Sequence, residues 1–446
     1  MKIPVPPPDF GAELSKVLDS GRAMDVFYGS NVAALSGQYY SWDQMRYRTP
    51  PEGMSVEEWW VASKLARNAS RRDLPLLDKE GRPFGYVLCD PLLELIEEVT
   101  ARASGKIAAN GRPNLGDGAK RYVVTSLMEE AITSSQLEGA ATSRRVAKDM
   151  IRSGREPRNH GEKMILNNYR TMQAITQMAS SPLTPEMVQE IHRMVTEDTL
   201  ETPLDAGRIQ QDDSQRVAVW DEGDTRLHQP PPAGELTERL DRLCAFANEH
   251  GDSGAGNYLP PLLRALAMHF MVGYDHYFVD GNGRTARALF YWSMLNQGFW
   301  LAEYIPVSRL LVKAPGKYAR SFLLTEQDDG DLTYFFLYHA QVVVRAINDL
   351  HAYIERKTEE TRKGKERLNA LRGELNHRQI ALLNHAMRNP GAVYSAYSHA
   401  ESHRVTAQSA RNDLVALEAQ GLLTRAKQGR LYVWMPDSKG LAALTS

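Results

Sequence analysis

The segment from His276 to Arg287 (HYFVDGNGRTAR) combines residue types that could bind and transfer a phosphate-linked group. Gly281 and Gly283 allow backbone N–H groups to turn inward where a new helix begins at about Gly283, which forms a nest for an anion. Arg284 and Arg287 are three residues apart, so they share a helix face, and each guanidinium can bind phosphate oxygens in pairs. The segment therefore predicts a polyphosphate site.

Two further side chains of this segment could supply the chemistry. Asp280 precedes the nest, where a carboxylate would repel phosphate unless a divalent cation bridged the two, and Mg²⁺ favours one carboxylate together with phosphate oxygens. His276 is the nearby side chain whose ordinary pKa suits proton removal near neutral pH. Alone, these features are typical of a structural histidine, a turn and a solvated face. Their eight specified positions in this order would arise by chance on the order of once in ten million such chains.

The segment resembles the HPFxxGNGRxxR signature of the Fic family. The resemblance implies that His276 deprotonates a protein hydroxyl and that Asp280 binds Mg²⁺ or Mn²⁺. It further implies that ATP is the substrate, whose α- and β-phosphates are held by Gly281, Asn282 and Gly283. By the same resemblance Arg284 would hold the β-phosphate and Arg287 the γ-phosphate, and AMP would pass to the hydroxyl as pyrophosphate leaves.

Two positions refine this comparison with the family. Tyr277 replaces the usual proline of the signature, which changes the rigidity of the turn but removes no reacting group. Gly283 stands where the related Doc kinases carry a lysine, so the resemblance favours AMP transfer over phosphate transfer.

A second segment, Ser134 to Gly139 (SSQLEG), resembles the inhibitory motif that some Fic proteins carry ahead of the catalytic domain. Ser134 and Glu138 are four residues apart and so share a helix face, in an inhibitory helix expected at about 119–139. The resemblance implies that Glu138 pairs with Arg287. An arginine paired with a carboxylate is unavailable to the γ-phosphate, so this pairing would inhibit AMP transfer.

A short strand is predicted at Val217, Ala218 and Val219, followed by a turn at 221–224, inside a chain that otherwise has helical periodicity. Its place ahead of the catalytic segment resembles the Fic flap, a hairpin that pairs with an extended target segment. The resemblance implies that residues 207–220 position the target hydroxyl beside His276 by main-chain hydrogen bonds. A purely structural hairpin is the alternative.

Composition sets broad limits on the function. The formal net charge of −2 over 446 residues argues against a polyelectrolyte, and two cysteines exclude a disulfide framework or a Cys-rich zinc site. The N-terminus lacks the apolar stretch of a signal peptide, and the apolar runs are too short to span a membrane. We therefore expect a soluble cytoplasmic protein that does not bind membranes.

The fold class predicted is mainly α: a Fic helical core with a short hairpin, an N-terminal segment and a C-terminal winged helix. The predicted domains are 1–104, which loosely resembles the N-terminal segment of some bacterial Fic proteins, and a core at 105–355. A charged helix or linker follows at 356–377, and the winged helix occupies 378–446.

Within the winged helix we expect helices at 378–387, 395–401 and 406–420 and strands at 422–426 and 430–435. Residues 377–435 carry a local excess of basic side chains. Duplex DNA and a protein partner are both open as ligands, since winged helices bind either. The candidate DNA contacts are Thr406, Gln408, Ser409, Arg411, Lys427 and Arg430.

The favoured function is therefore an adenylyltransferase that is inhibited by Glu138 and modifies itself or another protein at a Ser, Thr or Tyr hydroxyl. One alternative is a transcription regulator in which the core senses ATP, although a sensor would not need His276. The other alternative is removal of AMP from a modified protein at the same site. A homodimer is left open.

Overall fold

The computed structural model describes residues 2–33, 38–103, 116–220, 225–249, 258–370, 375–389, 391–428, 431–437 and 440–441. The chain divides into two compact units, residues 1–348 and residues 349–446. The described residues are mostly helical with three small antiparallel sheets, which confirms the predicted fold class. None of the helices in the described ranges is long and apolar enough to cross a membrane.

The first unit contains fourteen helices and the start of a fifteenth, within the described residues. They are α1 (Phe10–Asp19), α2 (Ala23–Ala33), α3 (Trp42–Met45), α4 (Val56–Ser70), α5 (Asp90–Ala103), α6 (Gly116–Leu137), α7 (Arg144–Ser153), α8 (His160–Met178), α9 (Pro185–Thr196), α10 (Leu236–Asn248), α11 (Pro261–Asp275), α12 (Asn282–Asn296), α13 (Ser308–Leu311), α14 (Pro315–Gln327) and α15 (Thr333–Ala370). Its strands are β1 (Arg72–Leu77), β2 (Pro83–Tyr86), β3 (Val219–Trp220) and β4 (Arg226–His228), paired as β1–β2 and β3–β4.

Helices α11 and α12 form the centre of this unit. Nearly every residue of both helices is buried, including Phe270, Leu289 and Trp292. Each helix is therefore buried on all of its faces. A helix that is buried on all sides must be surrounded by other elements, here including α8, α9 and α10. The connection between α11 and α12 therefore lies at the end of a packed core, which is a rigid place for a site.

Local signals in the sequence account for several helix ends. The Ser55 hydroxyl accepts from the Glu58 amide at 3.1 Å, and the Glu58 carboxylate accepts from the Ser55 amide at 2.7 Å, so this reciprocal pair caps the start of α4. Thr184 caps α9 and is followed by proline in the first turn, and Gly154 ends α7 with a left-handed conformation.

The flap is smaller than the sequence predicts and starts two residues later. Val217 and Ala218 precede the strand, and only Val219 of the three predicted residues lies in β3, where it pairs with His228. The prediction of a strand over all three was therefore wrong in its bounds, because alternation alone does not say which residues find a pairing partner. The predicted turn at 221–224 lies outside the described residues.

The second unit has its own apolar core. Its elements are α16 (His377–Arg388), β5 (Tyr394–Ser395), α17 (Ala396–His403), α18 (Ala407–Ala419), β6 (Leu423–Gln428) and β7 (Leu431–Pro436), with sheet order β5-β7-β6. Leu383, Leu414, Leu417 and Trp434 pack together in its interior. The three helices and two main strands lie within two residues of the predicted bounds, and β5 was not predicted.

Candidate active site

The turn that carries His276 is held in an uncommon backbone conformation. Helix α11 ends at Asp275, and His276 follows it with a φ of 50° in the left-handed region. The side chain of Asn282 closes the loop that follows: its Oδ1 accepts from the Phe278 amide at 3.0 Å, and its Nδ2 donates to the Phe278 carbonyl at 2.7 Å. Asn282 thus fixes the path of the loop, in addition to any contact with phosphate.

The ring of His276 is oriented as a proton acceptor. Its Nδ1 lies 3.2 Å from the Gly273 carbonyl, and because a carbonyl can only accept, Nδ1 must carry the proton. Nε2 is then left with a free lone pair. Burial lowers the pKa of His276 below its ordinary value, which keeps the imidazole neutral near pH 7. A neutral imidazole with Nε2 unprotonated is the form that a general base requires.

Arg216, which the sequence did not single out, holds this turn from the flap side. Its guanidinium donates to the carbonyls of Asp275 and His276, both at 2.7 Å. The same group donates to the Pro231 carbonyl at 2.9 Å and to Gln210 Oε1 at 2.6 Å. One side chain therefore connects the catalytic turn to both ends of the flap, a role that only the tertiary structure reveals.

Tyr277, the departure from the family signature, is completely buried behind the turn. Its hydroxyl donates to Asp275 Oδ2 at 2.6 Å, and Arg239 Nε donates to Asp275 Oδ1 at 2.7 Å. The Tyr277 carbonyl accepts from the Gln210 amide at 2.9 Å. A buried hydrogen-bonded tyrosine thus stabilises the position where the signature has proline.

His192 is another residue that the sequence did not indicate, and it holds the backbone of the nest in place by a hydrogen bond. Its Nε2 donates to the Asp280 carbonyl at 2.8 Å, its Nδ1 accepts from the Gly207 amide at 2.8 Å, and its ring stacks on Phe278 with 3.7 Å between centroids. Burial lowers the pKa of His192 to about 4, so the ring is neutral near pH 7 and its role is structural. Gly281 is required here, because it has a φ of 81° and a Cβ would lie 2.6 Å from a methyl group of Thr196.

Arg284 and Arg287 are both buried, as the prediction of a shared binding face requires. Arg284 donates to the Val195 carbonyl at 2.7 Å and lies 3.4 Å from Asp280 Oδ2. Within the described residues, Arg284 Nε and Arg287 Nη1 have no hydrogen-bond partner. Two buried and unpaired guanidinium N–H groups beside a glycine nest are donors that an anionic ligand would satisfy.

The segment from Ser134 to Gly139 contacts Arg287 directly. Arg287 Nη2 donates to Glu138 Oε1 at 2.9 Å, and Arg287 Nε donates to Ser134 Oγ at 2.7 Å. Helix α6 ends at Leu137, so Glu138 lies just beyond it, before Gly139 turns the chain with a φ of 90°. The carboxylate of Glu138 lies so close to Gly283 that a Cβ there would collide with Oε1. The predicted pairing of Glu138 with Arg287 is therefore present in the geometry.

Asp280 has the surroundings that a magnesium ligand needs. More than half of its side chain is exposed, and its Oδ1 accepts from the Gly281 amide at 2.6 Å. Among the described residues, Oδ2 has only the long contact to Arg284. No group of three or more His, Cys, Asp or Glu side chains suited to a metal occurs in the described part of the chain. A single carboxylate fits Mg²⁺ that takes its other ligands from phosphate and water.

The flap is held to the helices at the end of β4, and two of its apolar side chains are exposed. His228 at the end of β4 lies 2.7 Å from both the Tyr274 carbonyl and Glu326 Oε2, which fixes the strand against α14 and the end of α11. In contrast, the side chains of Val217 and Trp220 are 42% and 57% exposed. These exposed apolar groups are available to an incoming segment.

The candidate DNA contacts lie in the second unit and take no part in this site. Thr406 caps α18, Gln408, Ser409 and Arg411 lie in its first turns, and Lys427 lies in β6. Arg430 is outside the described residues.

Comparison with known proteins agrees with this geometry. Residues 182–294 match the Fic/DOC family model, so the chain carries a Fic/DOC family domain. A protein adenylyltransferase Fic of Nematostella vectensis is 26% identical over 235 residues, which are 51% of this chain and 50% of that protein. The chain thus spans about half the length of that curated relative.

One of the similar solved structures shares the fold at low sequence identity. A Fic family protein from Desulfovibrio desulfuricans G20 superposes with a TM-score of 0.54 at 16% identity, covering 79% of this chain and 98% of that one. A fragment of Fic-1 from C. elegans gives a TM-score of 0.46 at 18% identity, covering 59% of this chain and 72% of that one.

Proposed function

We propose that this chain is a protein adenylyltransferase that transfers AMP from ATP to a protein hydroxyl and is inhibited by its own Glu138. The observation that carries the proposal is the pair of unpaired guanidinium N–H groups, on Arg284 and Arg287, beside a nest that faces a neutral histidine. The Fic domain and the adenylyltransferase relative support the same reaction class.

In the proposed reaction His276 Nε2 accepts the proton of the target hydroxyl as its oxygen attacks the α-phosphorus of ATP. The bond between that phosphorus and the oxygen bridging to the β-phosphate breaks, and pyrophosphate leaves. Gly281, Gly283 and the two arginines would neutralise the phosphate charge as it shifts toward the leaving group. Mg²⁺ held by Asp280 would supply further charge neutralisation.

Glu138 opposes this reaction in two ways. It takes a donor of Arg287 that the γ-phosphate would use, and it places a negative charge where that phosphate would lie. A charge-assisted hydrogen bond of this kind contributes about 1.5–3 kcal/mol, which corresponds to about a 10- to 150-fold weaker productive binding of ATP. Nucleotide bound in spite of Glu138 would be misplaced relative to His276.

The flap would bring the target to the site. A segment added to the edge of β3 would place its hydroxyl by main-chain hydrogen bonds, and Trp220 would contact a neighbouring side chain of the target. A segment of a second copy of this chain is one such target, and self-modification is the simplest reaction to detect.

Mass spectrometry after incubation with ATP and Mg²⁺ tests the proposal on three proteins: wild type, Glu138→Gly and Glu138→Gly with His276→Ala. We expect an added AMP mass on Glu138→Gly at least 10-fold above wild type, and none on the double variant. Equal labelling of wild type and Glu138→Gly would refute inhibition by Glu138. A different added mass, or labelling without His276, would refute the reaction.

Removal of AMP from a modified protein is the reverse use of this site, with Glu138 as the group that orients a water molecule. The observation that favours this second function is the position of the Glu138 carboxylate, which lies against Gly283 in the nest. Wild type should then release AMP from a chain that Glu138→Gly has labelled, and Glu138→Gly should not.

A further inference from the structure

The second unit carries a polar helix face that takes no part in the proposed transfer reaction. Helix α18 buries Ala410, Leu414 and Leu417 against the core of the unit. Its opposite side exposes Gln408, Arg411, Asn412 and Val415, at spacings that place them on one face. These positions span eight residues, about 10 Å along the helix.

Both acidic residues of α18 are paired within the second unit. Asp413 is buried, where it accepts from Asn376 at 2.6 Å and from Arg378 Nε at 2.8 Å. The Arg378 guanidinium beside it holds the pKa of Asp413 below its ordinary value in spite of burial, so the group stays a paired anion. Glu418 accepts from Trp434 Nε1 at 2.9 Å and pairs with Arg425 at 3.3 Å.

Three exposed cations around α18 have no such partners among the described residues. Arg404, in the left-handed turn before α18, Arg411 on α18 and Lys427 on β6 are exposed, and none forms an ion pair with an acid in the part of the chain that the structure describes. The acids of α18 are therefore neutralised within the fold while nearby cations are left for a ligand. That distribution complements a polyanion.

The exposed polar groups also suit the edges of base pairs. Gln408 Nε2 donates to Asn412 Oδ1 at 3.0 Å, which holds the two amides side by side and leaves Gln408 Oε1 and Asn412 Nδ2 to pair with a ligand. An amide that offers both an acceptor and a donor matches adenine, arginine matches guanine or phosphate, and a Val methyl matches the thymine methyl.

We propose that the exposed face of α18, together with Arg404 and Lys427, binds in the major groove of duplex DNA. A major groove about 12 Å wide accepts a helix, and the turn from α17 to α18 is the connection of a helix-turn-helix. The structure also refines the sequence prediction. Thr406 and Ser409 are occupied with each other at the start of α18, whereas Asn412 and Arg404 join the contact surface.

The experiment measures binding of the full chain to a fluorescein-labelled random-sequence DNA duplex by anisotropy, between about 50 and 200 mM salt. The variants are Arg411→Ala and Asn412→Ala. Arg145→Ala is the matched control, because Arg145 is exposed on α7 in the other unit and forms no ion pair within the described ranges. Thermal unfolding checks that each variant is folded.

We expect binding that weakens with salt, and a plot of log affinity against log salt that is shallower by about 0.9 in Arg411→Ala. Asn412→Ala should leave that slope unchanged and alter the sequences selected from the random pool. The control should match wild type. Absent or salt-insensitive binding, or equal effects of Arg411→Ala and Arg145→Ala, would overturn the proposal in favour of a protein partner. These outcomes do not depend on AMP transfer.

Discussion

Replacing Arg216 by alanine removes a side chain that joins the turn around His276 to the flap. Four hydrogen bonds are lost, and the carbonyls of Asp275 and His276 lose a donor next to the reacting ring. Arg216 is only half-buried, so water can replace part of these contacts. We therefore expect a loss of about 2–4 kcal/mol in the free energy of unfolding, well below the sum of four charged hydrogen bonds.

The effect on turnover should exceed the effect on nucleotide binding. Arg216 contacts the turn around His276 and makes no contact with the arginines of α12, so the KM for ATP should change little. A displacement of the base by about 1 Å costs on the order of 100-fold in kcat. Arg216→Lys should restore only part of this loss, because the single nitrogen of an ammonium group cannot reach the four acceptors that the three guanidinium nitrogens contact.

The assay is AMP transfer in the Glu138→Gly background, where turnover is expected to be measurable, accompanied by thermal unfolding. Arg208→Ala is the matched control, since Arg208 lies in the same segment, is exposed, and has no side-chain hydrogen bond or ion pair in the described residues. A folded Arg216→Ala variant whose kcat equals that of Arg208→Ala would refute the reasoning. A change confined to the KM for ATP would also refute it.

Two further predictions concern pH and the target. Because burial lowers the pKa of His276 and activity needs the neutral ring, kcat/KM of Glu138→Gly should stay constant as pH falls to about 6.5 and decline only below that; a decline that starts above pH 7 would contradict this. The Glu138 carboxylate raises the pKa of His276, so its removal in Glu138→Gly lowers that pKa further. Trp220→Ala should raise the KM for a protein target several-fold and leave the KM for ATP unchanged, measured against Leu204→Ala, another exposed apolar residue; equal target KM values in the two variants would count against docking at the flap.

The resemblance of short segments identified most of the candidate site. The residues from His276 to Arg287 act within one turn and the first helical turns after it, so their order in the sequence is nearly their order in space. The Ser134–Glu138 motif was also recognisable, and its pairing with Arg287 followed from the resemblance alone. Helix ends were predicted within about two residues, because capping residues act on adjacent amides.

The supporting residues could not be found in this way. Arg216 and Arg239 reach the turn from 59 and 36 residues away, and His192 contacts the Asp280 carbonyl across 88 residues. An arginine that binds a carbonyl leaves no periodic or compositional signal, and a buried histidine is indistinguishable in sequence from an exposed one. The bounds of the flap were missed for a related reason, since a strand exists only where a partner pairs with it.

The sequence by itself therefore determined the chemistry available to this protein: a base, a nest, two arginines and a carboxylate to oppose them. Only the tertiary structure decided the state of that chemistry. It places Nδ1 of His276 against a carbonyl so that Nε2 is free, and it brings Glu138 onto Arg287. It also pairs the acids of α18, Asp413 with Arg378 and Glu418 with Arg425. Each of these depends on which distant groups share a buried volume, and folding of the whole chain alone sets that.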